Sequence, residues 1–351
     1  VNLSLVEKIA DAVLYEGYIL YPYRPSSVKN QQRWNFGALC PEAYSVAQSG
    51  TESWTMQTEV LIETQSQTTL DVKVRFLHLV SREVLGPKRQ IVPSLEVNGQ
   101  LLQTWQEAIE REVIVPGVKL NAAGSQRLSF SFPANESTED LRDAESGELQ
   151  GIMVRKQQAL AGSIEVRVAD CGFEAGELRR VTVQILNETP LENAPACSRD
   201  EALMRSFVST HTILNVQNGE FVSLLDPPEA FREAAAACSN LGTYPVLVGE
   251  DGSRDCMLSS PIILYDYPQI APESPGSLFD GTEIDEILTL RIMTLTDDEK
   301  REMRGADDRA RQILERTELL PAEQLMKMHG AMKSVRPMGK AKEHAAGEAG
   351  Q

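Results

Sequence analysis

The chain has 351 residues and a formal net charge of −17, enough length for two domains or one large one and the composition of an ordinary globule. The acidic balance excludes a protein that grips nucleic acid through phosphate contacts, because those need a basic surface. No apolar run reaches the roughly eighteen residues of a spanning helix, and five scattered cysteines read as reduced thiols of a cytoplasmic protein, not a disulfide framework.

Residues 3–14 predict an amphipathic helix, with Leu3, Val6, Ile9, Ala10, Val13 and Leu14 on one stripe and Glu7, Lys8 and Asp11 opposite. Charges inside that apolar pattern argue against a secretory signal. Gly17 is placed to stop the helix. The stretch 15–41 inverts the local charge. It has no acidic residue between Glu16 and Glu42, but carries Arg24, Lys29 and Arg33 among Tyr18, Tyr21, Tyr23 and Trp34. Two short strands are expected around its Pro25 turn.

From about residue 54 the period changes to two. Met56, Thr58, Val60 and Ile62 alternate with polar residues, as do Leu70, Val72, Val74 and Phe76, the pattern of a sheet with one packed face. Asn98-Gly99 predicts a type I′ hairpin. Strands are expected at 111–115, 127–132, 164–168 and 181–185. Between them, 135–149 holds six acids against Arg142 and predicts a solvated acidic loop.

Residues 187–200 read as a linker. Beyond it, 211–217 and 220–225 flank Asn218-Gly219 as a second expected hairpin. Asp226 is expected to cap a helix running to 237, with proline in its first turn. Strands follow at 246–248 and 257–264, then a proline-rich connector at 268–276. The last quarter predicts helices, one capped by Thr282 and one opened by the capping box Thr296-Asp297-Asp298-Glu299. The expected fold is mainly β within an α+β organisation: antiparallel sandwich-like or open-barrel sheets with a helical C-terminal region. The expected division is a β-rich unit at 1–190, a mixed then helical unit at 191–332, and a polar, disordered tail at 333–351.

The motifs of chemistry are missing from the sequence. It has no P-loop, no dinucleotide fingerprint, no nucleophile elbow, no C-x-x-C and no H-E-x-x-H, so no catalytic residue, metal ligand or cofactor is assigned. A metal would need Cys197, His211, Cys238 and Cys256 to converge, although Cys238, after Ala234 to Ala237, also reads as a core thiol. His78 shares the inward face with Phe76 and reads as a buried, hydrogen-bonded histidine. His211 beside Ser209, and Asp266 between two tyrosines, supply triad components without an elbow to organise them.

Tyr21, Tyr23, Arg24, Lys29, Arg33 and Trp34 form the candidate partner surface, since Tyr, Trp and Arg dominate binding hot spots and arginine forks carboxylates. The competing reading packs the aromatics at the core edge and leaves the charges solvated, or pairs them with the acids of 136–148. Met293, Met303, Met326, Met328 and Met332 offer a second partner surface, or a helical core.

Two stretches, IADAVLYEGY at 9–18 continuing through YPYRPSSVKNQQRWNFG at 21–37, and EILTLRIMTLTD at 286–297, resemble an uncharacterised accessory family encoded with actinobacterial-type, oxygen-tolerant NiFe hydrogenases. The resemblance implies a non-catalytic role in assembling or supporting such an enzyme, by binding one of its subunits or a maturation protein. It carries over no functional residue. The hydrogenase subunits themselves hold nickel with paired C-x-x-C motifs and iron–sulfur clusters with grouped cysteines, and this chain has neither. Two alternatives stand beside it: a metal-dependent or other hydrolase built from His211, Asp266 and Cys256, and a β-sandwich binding a small ligand or carbohydrate.

Overall fold

The computed structural model describes residues 3–15, 34–172, 178–269, 295–306, 311, 314–315 and 317–319. Its elements begin with α1 (Leu3–Tyr15), α2 (Glu42–Ala47), β1 (Thr55–Leu85), β2 (Ile91–Val92), β3 (Ser94–Val97), β4 (Gln100–Gln103) and β5 (Trp105–Lys119). Then come β6 (Gly124–Phe132), β7 (Asn135–Arg142), β8 (Leu149–Gln157), β9 (Leu160–Asp170), β10 (Leu178–Asn187) and α3 (Arg199–Leu203). The chain continues with β11 (Val208–Val222), α4 (Arg232–Ala236), β12 (Tyr244–Leu247), β13 (Cys256–Ser260) and α5 (Asp297–Ala306).

The two alternating segments near 56–62 and 70–76 belong to one strand, β1, of 31 residues. At ~3.3 Å per residue it has on the order of 100 Å of chain, several times an ordinary strand, so it changes neighbours along its length. Its start pairs with β10, which leads outward to β9 and β6. Its middle lies between β11 and β5, and β11 leads to β13 and β12. Its end pairs with β8 and β2. Every pairing among these strands is antiparallel: eleven of the described strands form one large sheet branched at β1, and β3 and β4 pair apart from it. One core joins strands of the large sheet, with Val60, Val72 and Phe76 from β1, Val113 from β5, Ile164 from β9, Val183 from β10 and Leu214 from β11. Phe76 stacks on Phe207 at 4.6 Å between ring centroids.

α1 forms as its stripe predicts. Val6, Ile9, Ala10 and Val13 pack on Ile213, Val246, Cys256 and Leu258. Asp11 accepts from Arg75 Nη2 at 2.7 Å, and the Ser209 hydroxyl donates to the Val13 carbonyl. The helix thereby covers the second face of the sheet, which is why Leu77 and Leu79 are buried as well as Phe76. Asn98 and Gly99, with φ of 52° and 76°, make the expected turn between β3 and β4.

Three expectations are corrected. Residues 135–142 are the strand β7, paired with β8 along its length, and only 143–148 turn. β7 is exposed on both faces except at Leu141, so it carries no apolar alternation, and its charges are met across the ladder, as Glu139 is by Arg155. Asn218-Gly219 makes no hairpin, because β11 runs through it. The kink faces a bulge in β1 between Thr64 and Thr69, where the Thr68 hydroxyl donates to the Asn218 carbonyl at 2.5 Å. A Cβ on Gly219 would lie 2.8 Å from the Glu63 carbonyl oxygen, so the two strands approach there as only glycine allows. Asp226 caps no helix: a 3₁₀ turn spans Glu229–Phe231 with Pro228 at its N-cap, and α4 follows.

The segment 187–200 is packed. Asn187 is fully buried and donates to the carbonyls of Leu39 and Arg205, and Ser198 and Glu201 form a capping box on α3. β10 and β11, on either side of residue 190, both pair with β1. At the far end of the chain Thr296 and Glu299 cap α5 reciprocally, as the sequence predicts.

Candidate functional site

Of the six residues expected to make the partner surface, Tyr21, Tyr23, Arg24, Lys29 and Arg33 lie outside the described residues. Trp34 is 3% exposed. Its ring packs with Leu14, Leu77, Leu79 and Val208, and its indole N–H donates to Gln106 Oε1 at 3.0 Å. It is a buried anchor against the sheet. Met303 is buried, and the other four methionines lie outside the described residues.

The histidines are built into the core. Arg111 Nε donates to His78 Nδ1 at 3.4 Å, so Nε2 carries the proton toward the Gln158 carbonyl at 2.9 Å. Burial pushes the His78 pKa down to about 4. His211 is fully buried, and its Nδ1–H donates to the Ser209 carbonyl at 3.0 Å. Its Nε2 meets no hydrogen-bonding group, and burial again lowers the pKa to about 4.

The components of the hydrolase reading do not join. Asp266 accepts from the Ser223 hydroxyl at 2.6 Å and the Leu247 amide at 2.8 Å. Cys256 is sealed beneath α1, where burial pushes its thiol up to about 12, far from a reactive thiolate. Cys238 packs against Leu61 and Val222, and Cys197 beside Cys40 and Tyr44. Among the described residues no three His, Cys, Asp or Glu side chains gather as a metal site. All five thiols are free.

A polar recess not visible from sequence opens between the β3–β4 turn and α5. The cleft has a volume of about 570 Å³ and is walled by residues 99–101 on one side. Lys300, Arg301, Arg304, Arg311, Asp297 and Glu318 line the other. Both walls are pinned. Asn98 donates to the Arg142 carbonyl and accepts from the Ala144 amide, tying the turn to the β7–β8 connection. Arg82, buried at the end of β1, donates to the Gln103 and Gly305 carbonyls at 2.9 Å each and to Glu107 at 2.8 Å. The Gly305 bond ties Arg82 to a carbonyl of the last turn of α5. Gly305 lets the helix settle on β4, since a Cβ there would overlap the Leu101 carbonyl oxygen. Within the cleft Glu318 receives Arg304 Nη2 at 2.9 and 2.8 Å, with Lys300 Nζ at 3.5 Å.

The Asn-Gly turn and the capping box were each legible in the sequence. Their meeting was not, because about two hundred residues separate them and no local pattern records the contact. No protein-family model matches the chain, and no curated protein is significantly similar to it. Among the described residues no helix is long and apolar enough to cross a membrane.

Proposed function

We propose that this chain is a non-catalytic accessory factor of the cytoplasm that docks on a NiFe hydrogenase subunit or on a maturation protein of that enzyme. The observation that carries the non-catalytic part is how the chemistry-bearing side chains are used. His211 is held by the Ser209 carbonyl, Asp266 by Ser223 and the Leu247 amide, and Cys256 lies beneath α1. Each is engaged in holding the fold, and none presents an activated nucleophile or base to a substrate. The hydrogenase assignment rests on the resemblance at 9–18, 21–37 and 286–297. The first of these begins in α1, whose Asp11 ties the helix to Arg75. The contact surface is the basic-aromatic stretch at 15–41 without the buried Trp34, with the C-terminal helices second.

The test is a tagged full-length chain drawn from hydrogen-oxidising cells. Hydrogenase or maturation polypeptides should accompany it in a fixed ratio, and Arg24→Glu with Arg33→Glu should remove them. Unchanged co-purification of the double reversal refutes the surface. A wild-type preparation without any hydrogenase-related polypeptide refutes the assignment.

A further inference from the structure

The α5 cleft carries an inference that does not depend on the partner reading. In a chain of net charge −17, the described residues lining it set Lys300, Arg301, Arg304 and Arg311 beside Asp297 and Glu318. The helix dipole explains part of this pattern. It favours a cation such as Arg304 in the last turn of α5. It does not explain Lys300, which stands in the first turn, where the dipole disfavours a cation. Arg311 lines the same recess.

The volume, about 570 Å³, is that of a small-molecule site, and the walls are pinned by Asn98, Arg82 and Gly305. The site already shows what it can hold. Arg304 reaches both oxygens of the Glu318 carboxylate, and Lys300 approaches one of them. The pair is loosely held, because the Arg304 side chain is 47% exposed and that of Glu318 34%. Exposed ion pairs of this kind contribute little, so an incoming anion with more charge displaces the carboxylate at little cost.

We propose that the cleft between the β3–β4 turn and α5 binds a small anion bearing two or more negative charges on phosphate or carboxylate groups, and that Glu318 is the internal carboxylate this ligand displaces. Guanidinium groups read both kinds of oxyanion through the same forked contacts.

The test is calorimetric titration of the full chain at low ionic strength, where such contacts are least screened. Pyrophosphate and propane-1,2,3-tricarboxylate are the two small probes, with a hexaglutamate peptide as the third arm. Saturable one-site binding of either small anion is expected, and the stronger of the two identifies the ligand chemistry. Lys300→Gln with Arg301→Gln should weaken it by at least about tenfold, the scale of a lost charge-assisted contact. Glu318→Gln should tighten it about fivefold, the equivalent of removing one surface ion pair.

Binding by Glu318→Gln alone supports the placeholder role. The proposal fails if neither small anion binds the wild type or Glu318→Gln. It also fails if the double substitution leaves binding unchanged, or if only the peptide binds. Hydrogen exchange over 297–306 verifies that α5 stays docked in each variant, and wild-type titration decides the matter should a variant lose the helix.

Discussion

At the scale of single residues, the buried imidazoles make the clearest commitment. His78 and His211 both titrate near 4 in the folded chain because burial disfavours their charged forms, against about 6.5 when unfolded. Between those values the unfolded chain binds more protons than the folded one, so stability rises with pH. The contribution is complete above about 6.5 and is lost as pH falls toward 4, at about 3 kcal/mol per imidazole. Urea midpoints taken from pH 7 to pH 4.5 should fall accordingly, and His211→Gln should halve the slope. A flat profile in that window would contradict the buried, neutral state of both rings. His78 was legible in the sequence, because its place in the period-two pattern with Phe76 put it inside. The orphaned Nε2 of His211 was not, since nothing local tells which groups a buried ring will meet.

At the scale of elements, legibility followed one-sidedness. α1 and the two halves of β1 bury one face, and their spacing announced it. β7 buries almost nothing, so its acids read as a loop, although backbone pairing with β8 holds it as a strand. Asn218-Gly219 is a strong local turn signal that tertiary pairing overrode, because the kink in β11 fits the bulge at Thr64 to Thr69 of β1. The docking of α5 yields a further prediction. Gly305→Ala forces a methyl group against the Leu101 carbonyl, an overpacking cost of roughly 1–3 kcal/mol. Arg82→Met removes the bond to the Gly305 carbonyl together with those to Gln103 and Glu107, costing about 3 kcal/mol. Either variant should strip hydrogen-exchange protection from 297–306 and leave 69–77 of β1 protected. Equal loss in both regions would mean that α5 is integral to the core of the large sheet.

At the scale of the whole molecule, β1 makes the expected boundary at residue 190 mechanically costly. Strands from before and after it flank β1, and side chains from both sides fill one core. A chain truncated after residue 190 loses β11 and leaves the middle of β1 with β5 as its one remaining neighbour. It should show no cooperative thermal transition, whereas the full chain should melt residues 55–260 as one unit. Two separable transitions in the full chain would support the division expected from sequence. The same spine has a consequence during synthesis. β1 leaves the ribosome more than a hundred residues ahead of the end of β11, a delay on the order of ten seconds at ordinary elongation rates. Throughout that interval a long, Val- and Leu-rich segment waits with one edge bare, in the condition that invites strand-to-strand aggregation. Production of this protein in a foreign host should therefore respond sharply to translation speed and to chaperone supply, because the nascent chain must be shielded until its last partner strand emerges.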